Sequence, residues 1–238
     1  MIGRARLRRA TGGPNHAQSA SIALPRGERS AWNVIEQVLG RTGMRCLITA
    51  GPHHLDWRSF RGNFLNMGYI MVDVEADGPI PGDFSMISFG AVVVRTPLLL
   101  TFHGQLRPIS DRWVPEALAV SGFSREQTLG FPEPRSVMLL FQSWLQEHGS
   151  GRPLFISDNN GFDWQFINWY FHHFVGSNPF GFSSTNLGSL YKGVVRDTTK
   201  NFKHLRRTRH THHPVDDAMG NAEALLAIQA EYELKMSL

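Results

Sequence analysis

Beyond Met67 the chain alternates short apolar runs with turn residues, in an order that predicts most of its elements. YIMVDVE (69–75), SMISFGAVVV (85–94) and LLLTFHGQLRP (98–108) are β-rich and separated by Gly and Pro, which predicts a three-strand antiparallel meander. VPEALAVSG (114–122) predicts a short helix ending at Gly122. PRSVMLLFQSWLQEHG (134–149) predicts a longer one, with Val137, Met138, Phe141, Trp144 and Leu145 on one face and Gly149 as its cap. PLFISD (153–158) predicts a buried strand, FDWQFINWYFHHF (162–174) an aromatic-rich helix, and STNLGSLYKGVV (184–195) another helical stretch. The last helix, PVDDAMGNAEALLAIQAEYEL (214–234), starts with Pro214 and two acids in its first turn, where the helix dipole favours them. Strands first, then helices alternating with strands, predict an α/β layer fold with a mixed sheet flanked by helices.

Residues 1–66 read differently. They lack sustained periodicity and carry loop-like stretches such as TGGPNHAQSAS and AGPHH. Residues 1–30 are expected to be disordered, and AWNVIEQVL (31–39), with Trp32, Ile35 and Leu39 at helical spacing, predicts at most one marginal helix. This extension holds ten Arg, no Lys and three acids, whereas the remainder holds 14 Lys and Arg against 17 acids. The formal charge of +4 is therefore a property of the leader, and a composition boundary falls near Met67. An Arg-rich, acid-poor start resembles a transit peptide, and RRAT loosely resembles an export signal, but no apolar core follows it. The expectation is a basic low-order extension over 1–66 and a folded domain over 67–238, with folding, and native translation, starting at Met67.

With 238 residues and 42% hydrophobic positions the chain can bury the core of one ordinary domain or two small ones. Cys46 is the only cysteine, so no internal disulfide can form. No apolar run approaches the roughly 20 residues needed to span a bilayer. A soluble, cytoplasmic protein with no membrane partner is expected.

Three acidic motifs carry the candidate chemistry. Asp73 and Glu75 are two apart in a predicted strand and leave the same face of it, which is costly for like charges unless a cation joins them or the strand end faces water. In SDNNGFDWQF, Asp163 stands at the start of a predicted helix, where a first-turn acid also satisfies helix amides; Asp158 competes for the same role. In HTHHPVDDA, His212 lies five before Asp217. Here Asp216 and Asp217 also suit the helix dipole, and a His cluster also suits an adventitious metal patch. No Cys accompanies the histidines at zinc-finger spacing, and hard carboxylate oxygens suit Mg²⁺ or Mn²⁺.

The order Asp-x-Glu, Phe-Asp, His-x4-Asp resembles the DEDD superfamily of 3′–5′ exonucleases, in the histidine branch that includes ribonuclease T, oligoribonuclease and proofreading exonucleases. The resemblance covers most of residues 68–230. VDVEADGP is similar to the first motif, DNNGFDWQF to the second, with Asn159 four before the Asp, and HHPVDDA to the third. LRPISDRWVPEALAVSGFSREQ is similar to the segment that usually follows the first motif. The resemblance implies a ribonuclease H-like fold and two Mg²⁺ or Mn²⁺ ions held by Asp73, Glu75, Asp163 and Asp217, with His212 as general base. Two cations roughly 4 Å apart would neutralise the converging acids, activate a water and stabilise the departing 3′ oxygen. An imidazole titrating at about 6.5 can take the water's proton. His213, four before Asp217, is the competing base, because the sister branch places a tyrosine there.

Seven cations (Lys192, Arg196, Lys200, Lys203, Arg206, Arg207 and Arg209) face one acid, Asp197, immediately before the His motif. This stripe is the expected phosphate-contacting surface, with a solvated loop as its plain alternative. Phe84, Met86, Trp164 and Phe180 are candidates to stack a terminal base, whereas Phe162, Phe166, Trp169 and Phe174 fall at helical spacing and are expected in the core. The implied partner is single-stranded nucleic acid, with RNA favoured over DNA, and related enzymes are often homodimers. The expected activity is release of 5′-nucleoside monophosphates from 3′ ends. The alternatives are a proofreading or repair exodeoxyribonuclease and a non-catalytic nucleic-acid-binding module of the same fold.

Overall fold

The computed structural model describes residues 68–148 and 152–236. The expectations for the extension over 1–66, the start at Met67, the helix over 31–39 and the cap at Gly149 lie outside the described residues. Three strands come first: β1 (Tyr69–Ala76), β2 (Met86–Val93) and β3 (Thr101–Gln105). Helices α1 (Pro115–Val120), α2 (Arg125–Leu129) and α3 (Pro134–His148) follow. Then come β4 (Leu154–Ser157), α4 (Asn160–Tyr170), a π-helical turn (Phe171–Val175), β5 (Ser184–Asn186), α5 (Leu187–Val195), a 3-10 turn (Lys203–Leu205) and α6 (Pro214–Glu231). The sheet order is β3-β2-β1-β4-β5. The predicted meander is antiparallel, and β4 and β5 run parallel to β1 and to each other. No described helix is long and apolar enough to cross a membrane.

The period-two alternation of β1 assigns its side chains to two cores. Ile70, Val72 and Val74 pack with Val137, Met138, Phe141 and Leu145 of α3 and with Phe166, Ile167 and Tyr170 of α4. Phe141 is fully buried, with its ring against those of Phe89, Phe102, Trp144, Phe171 and Phe180. Truncating such a residue to Ala costs about 3–5 kcal/mol. Met71 points the other way, into a second core with Leu187 and Tyr191 of α5 and Ala218, Ala222, Leu225 and Ile228 of α6. Asp73 and Glu75 therefore leave β1 on the α6 side. Small residues let that helix come close. A Cβ on Gly90, which pairs with Asp73 across β1 and β2, would lie 2.3 Å from the Pro214 backbone. Only a residue without a side chain admits the helix start there, and Asp217 follows one turn later.

Two elements differ from the sequence reading. The expected helical stretch 184–195 is a strand and a helix: Ser184, Thr185 and Asn186 pair with Phe155, Ile156 and Ser157. The helix starts only at Leu187, where the Asn186 side chain accepts from Ser189 N. Helix α2 was not anticipated, although its start carries a capping box in which Ser124 and Gln127 bond each other's backbone. The aromatic helix begins two residues earlier than expected and widens into the π turn over its last residues.

Candidate active site

Four acids from three elements meet at the end of β1. Carboxylate oxygens of Asp73, Glu75 and Asp217 all lie within 4.8 Å of one another. Asp163 joins from the first turn of α4, where its Oδ1 accepts a hydrogen bond from Val74 N at 3.1 Å. Its Oδ2 is buried and has no hydrogen-bond partner among the described residues. A buried anionic oxygen left bare is costly unless a cation or proton meets it.

The electrostatics agree. Burial, joined by the charges of Asp163, Glu75 and Asp217, holds Asp73 well above the usual carboxylate range, with Arg206 pulling the other way. Burial, with Asp217 next, pushes Glu75 up to about 7. Burial raises Asp163 to about 8, opposed by the nearby Ser157 side chain and the Val74 amide, with added repulsion from Asp158 and Glu75. Such groups shed their protons readily only when positive charge is supplied. The all-oxygen donor set suits a hard divalent cation such as Mg²⁺ or Mn²⁺.

The histidine run lies across this cluster. Asp217 accepts from the amides of Thr211 and His212 at 3.1 and 3.0 Å, which holds His212 at a φ of +61°. The half-exposed His212 ring has Nδ1 3.9 Å from Glu75 Oε1. His213, the residue just before α6, turns away: its ring packs on His103 at 4.8 Å, and its Nδ1 is 3.8 Å from Asp216. His210, which the motif reading did not single out, has Nδ1 2.8 Å from Asp217 Oδ1. The H-x-H spacing of His210 and His212 was its only sequence signal. Asp77 was also missed. It is fully buried and accepts from Ser85 N and from Arg125 Nη1 at 2.9 Å, which anchors the chain leaving Glu75.

Several residues expected to contact substrate do not face it. Met86 and Phe180 are buried in the core and cannot stack a base. Arg206 is not a surface phosphate contact. Its guanidinium bonds Asp158 Oδ2 at 3.2 Å and Asn221 Oδ1, and lies 5.5 Å from the centre of the Phe202 ring. The same contact occupies Asp158, the competitor of Asp163. Arg207 lines a cleft with Thr96, Leu98, Glu223 and Leu226, residues distinct from those of the acid cluster. Lys192, Arg196, Lys200, Lys203 and Arg209 are exposed. Phe84 is half-buried on Gly78 beneath Arg112, and Trp164 half-buried edge-on to Phe155. Phe166 is buried, and Phe162, Trp169 and Phe174 pack on the core as expected.

No family model matches the chain. Over 129 residues it is 40% identical to the 3′–5′ DNA exonuclease Cap18 of Escherichia coli, covering 53% of this chain and 68% of that protein. The structure superposes on the nuclease domain of 3′hExo, a DEDDh family member bound to rAMP, with a TM-score of 0.59 and 16% identity over 73% of this chain and 98% of that one. It also superposes on S. pombe Pop2p in its Mg²⁺- and Mn²⁺-bound form, with a TM-score of 0.53 and 12% identity over 86% and 90% of the two chains. These likenesses identify the fold as the ribonuclease H-like mixed sheet.

Proposed function

Because the chain belongs to the same family as the 3′–5′ DNA exonuclease Cap18 and its acidic motifs resemble those of the DEDDh exonucleases, we propose that Asp73, Glu75, Asp163 and Asp217 hold its Mg²⁺ or Mn²⁺ ions and that its substrate is the 3′ end of single-stranded DNA. The convergence of the Asp73, Glu75 and Asp217 oxygens within 4.8 Å, beside the bare Oδ2 of Asp163, carries this reading. A divalent pair in such a site supplies a more acidic water and charge stabilisation at the departing oxygen.

The chain's own residues do the rest. His212, half-exposed beside Glu75, accepts a proton from the attacking water. The water oxygen bonds to the terminal phosphorus as the bond from phosphorus to the 3′ oxygen breaks, and that oxygen takes a proton from solvent, releasing a 5′-nucleoside monophosphate and leaving a new 3′-hydroxyl. Asp217 fixes the His212 backbone, and Asp77 with Arg125 anchors the segment after Glu75. The exposed cations Lys192, Arg196 and Lys203 contact backbone phosphates, and Phe84 offers a ring edge to the terminal nucleotide.

RNA was the expectation from the sequence. The 40% identical relative, a DNA exonuclease, supports DNA instead. Matched DNA and RNA single strands, labelled at the 3′ end and incubated with Mg²⁺ or Mn²⁺, separate the two. Metal-dependent release of deoxynucleoside 5′-monophosphates, abolished by Asp73→Ala, is the expected result. Degradation of RNA with DNA intact would overturn the substrate assignment, and no metal-dependent release from either would overturn the proposed site.

A further inference from the structure

We propose that His210, His212 and Asp217 form a second metal site, selective for Zn²⁺, whose occupation switches the exonuclease site off. One donor atom from each of these residues lies within 4.8 Å of the other two. The His210 and His212 rings are 4.3 Å apart, and His210 Nδ1 is already 2.8 Å from Asp217 Oδ1. Ligands at the usual zinc distances of about 2.0–2.2 Å sit about 3.3–3.6 Å apart in a tetrahedron, so small movements of two half-exposed rings complete the set. The fourth position stays open to solvent.

The donor chemistry separates this site from its neighbour. Asp73, Glu75 and Asp217 offer only carboxylate oxygens, the set a hard ion takes, whereas two imidazoles and one carboxylate suit zinc and discriminate against Mg²⁺. Asp217 belongs to both groups. It is buried, and its two oxygens are already engaged by His210 and by the amides of Thr211 and His212. It cannot serve both metals in the same geometry. Zinc held here also occupies His212, the proposed base, so one ion removes a ligand and a proton acceptor together. His210 makes the difference: it contributes to the zinc set alone. The inhibitory half of this proposal rests on the exonuclease reading, whereas the binding half does not.

The test uses the full chain and Zn²⁺ itself, under saturating Mg²⁺, with two readouts: isothermal titration calorimetry, and the ratio of turnover with and without Zn²⁺. His210→Ala is the diagnostic variant, because its half-exposed ring leaves no core cavity. Losing even an outer partner of a metal ligand costs about 10–100-fold in affinity. His210→Ala should therefore weaken zinc binding at least tenfold, with half-inhibition moving in parallel, while His213→Ala moves neither. Equal zinc affinity in wild type and His210→Ala would overturn the site. Tight zinc binding with an unchanged turnover ratio would overturn the switch. A wild type inactive in Mg²⁺ alone would count against the exonuclease reading, and calorimetry would still decide the zinc site.

Discussion

Replacing Asp163 with Asn should stabilise the metal-free protein at pH 8 while destroying its activity. Asp163 is buried, accepts one hydrogen bond on Oδ1 and leaves Oδ2 bare. Asn keeps the first contact and removes the charge. Burial and neighbouring acids place the Asp163 proton at about 8 and that of Glu75 at about 7, against ordinary values of 3.8 and 4.5. These groups bind protons more tightly folded than unfolded, so stability is fully present below about pH 4 and falls as pH rises towards 7–8. At 1.36 kcal/mol per pH unit the Glu75 gap alone corresponds to about 3 kcal/mol, and the Asp163 gap to about 6 kcal/mol. The two are coupled, so a combined loss of about 4–6 kcal/mol between pH 5 and pH 8 is the working figure. Denaturant unfolding in chelator at several pH values reads it directly. Wild type should lose stability across this range, and Asp163→Asn should recover about half the loss at pH 8 and little at pH 5. Mg²⁺ should stabilise wild type far more at pH 8 than at pH 5. A variant less stable than wild type by the same amount at every pH would refute the reasoning, because Asp163 would then act by packing rather than by charge.

Three further outcomes follow from other parts of the structure. Gly90→Ala should cost about 3 kcal/mol, the upper range for overpacking, because the new Cβ meets Pro214 backbone at 2.3 Å. Denaturant unfolding checks the stability, and turnover should fall by about 100-fold as Asp217 shifts from Asp73. His212→Ala should lower kcat by about 10²–10⁴-fold while His213→Ala changes it by less than about tenfold, measured in single-turnover assays. Lys203→Ala should leave stability unchanged and reduce the salt slope of single-strand binding by about 1, whereas Arg206→Ala should destabilise by about 3 kcal/mol by orphaning the buried face of Asp158 and Asn221. Fluorescence anisotropy at several salt concentrations and denaturant unfolding separate these two behaviours.

Local pattern and its limits explain which features the sequence disclosed. Asp73 and Glu75 were placed on one face because strand alternation is local, and Pro214 with its two acids marked the start of α6. β2 is buried at every position, so periodicity gives no face to Met86 and its burial was not legible. Arg206 read as one of a run of surface cations because its partners, Asp158 and Asn221, stand 48 and 15 residues away. Ser184–Asn186 carries too little pattern in three residues to separate a strand from a helix start; only pairing with β4 decides it. Asp77 acquires meaning from its contact with Arg125, which no spacing rule encodes, and His210 from its contact with Asp217, which the H-x-H spacing alone does not reveal.

Anomalous scattering from crystals grown with Mn²⁺ reads the position of the proposed ions without relying on turnover. Two manganese peaks roughly 4 Å apart are expected, with Asp73, Glu75, Asp163 and Asp217 all in direct contact. Manganese bound elsewhere on the chain, with these four carboxylates free of metal, would contradict the proposed site.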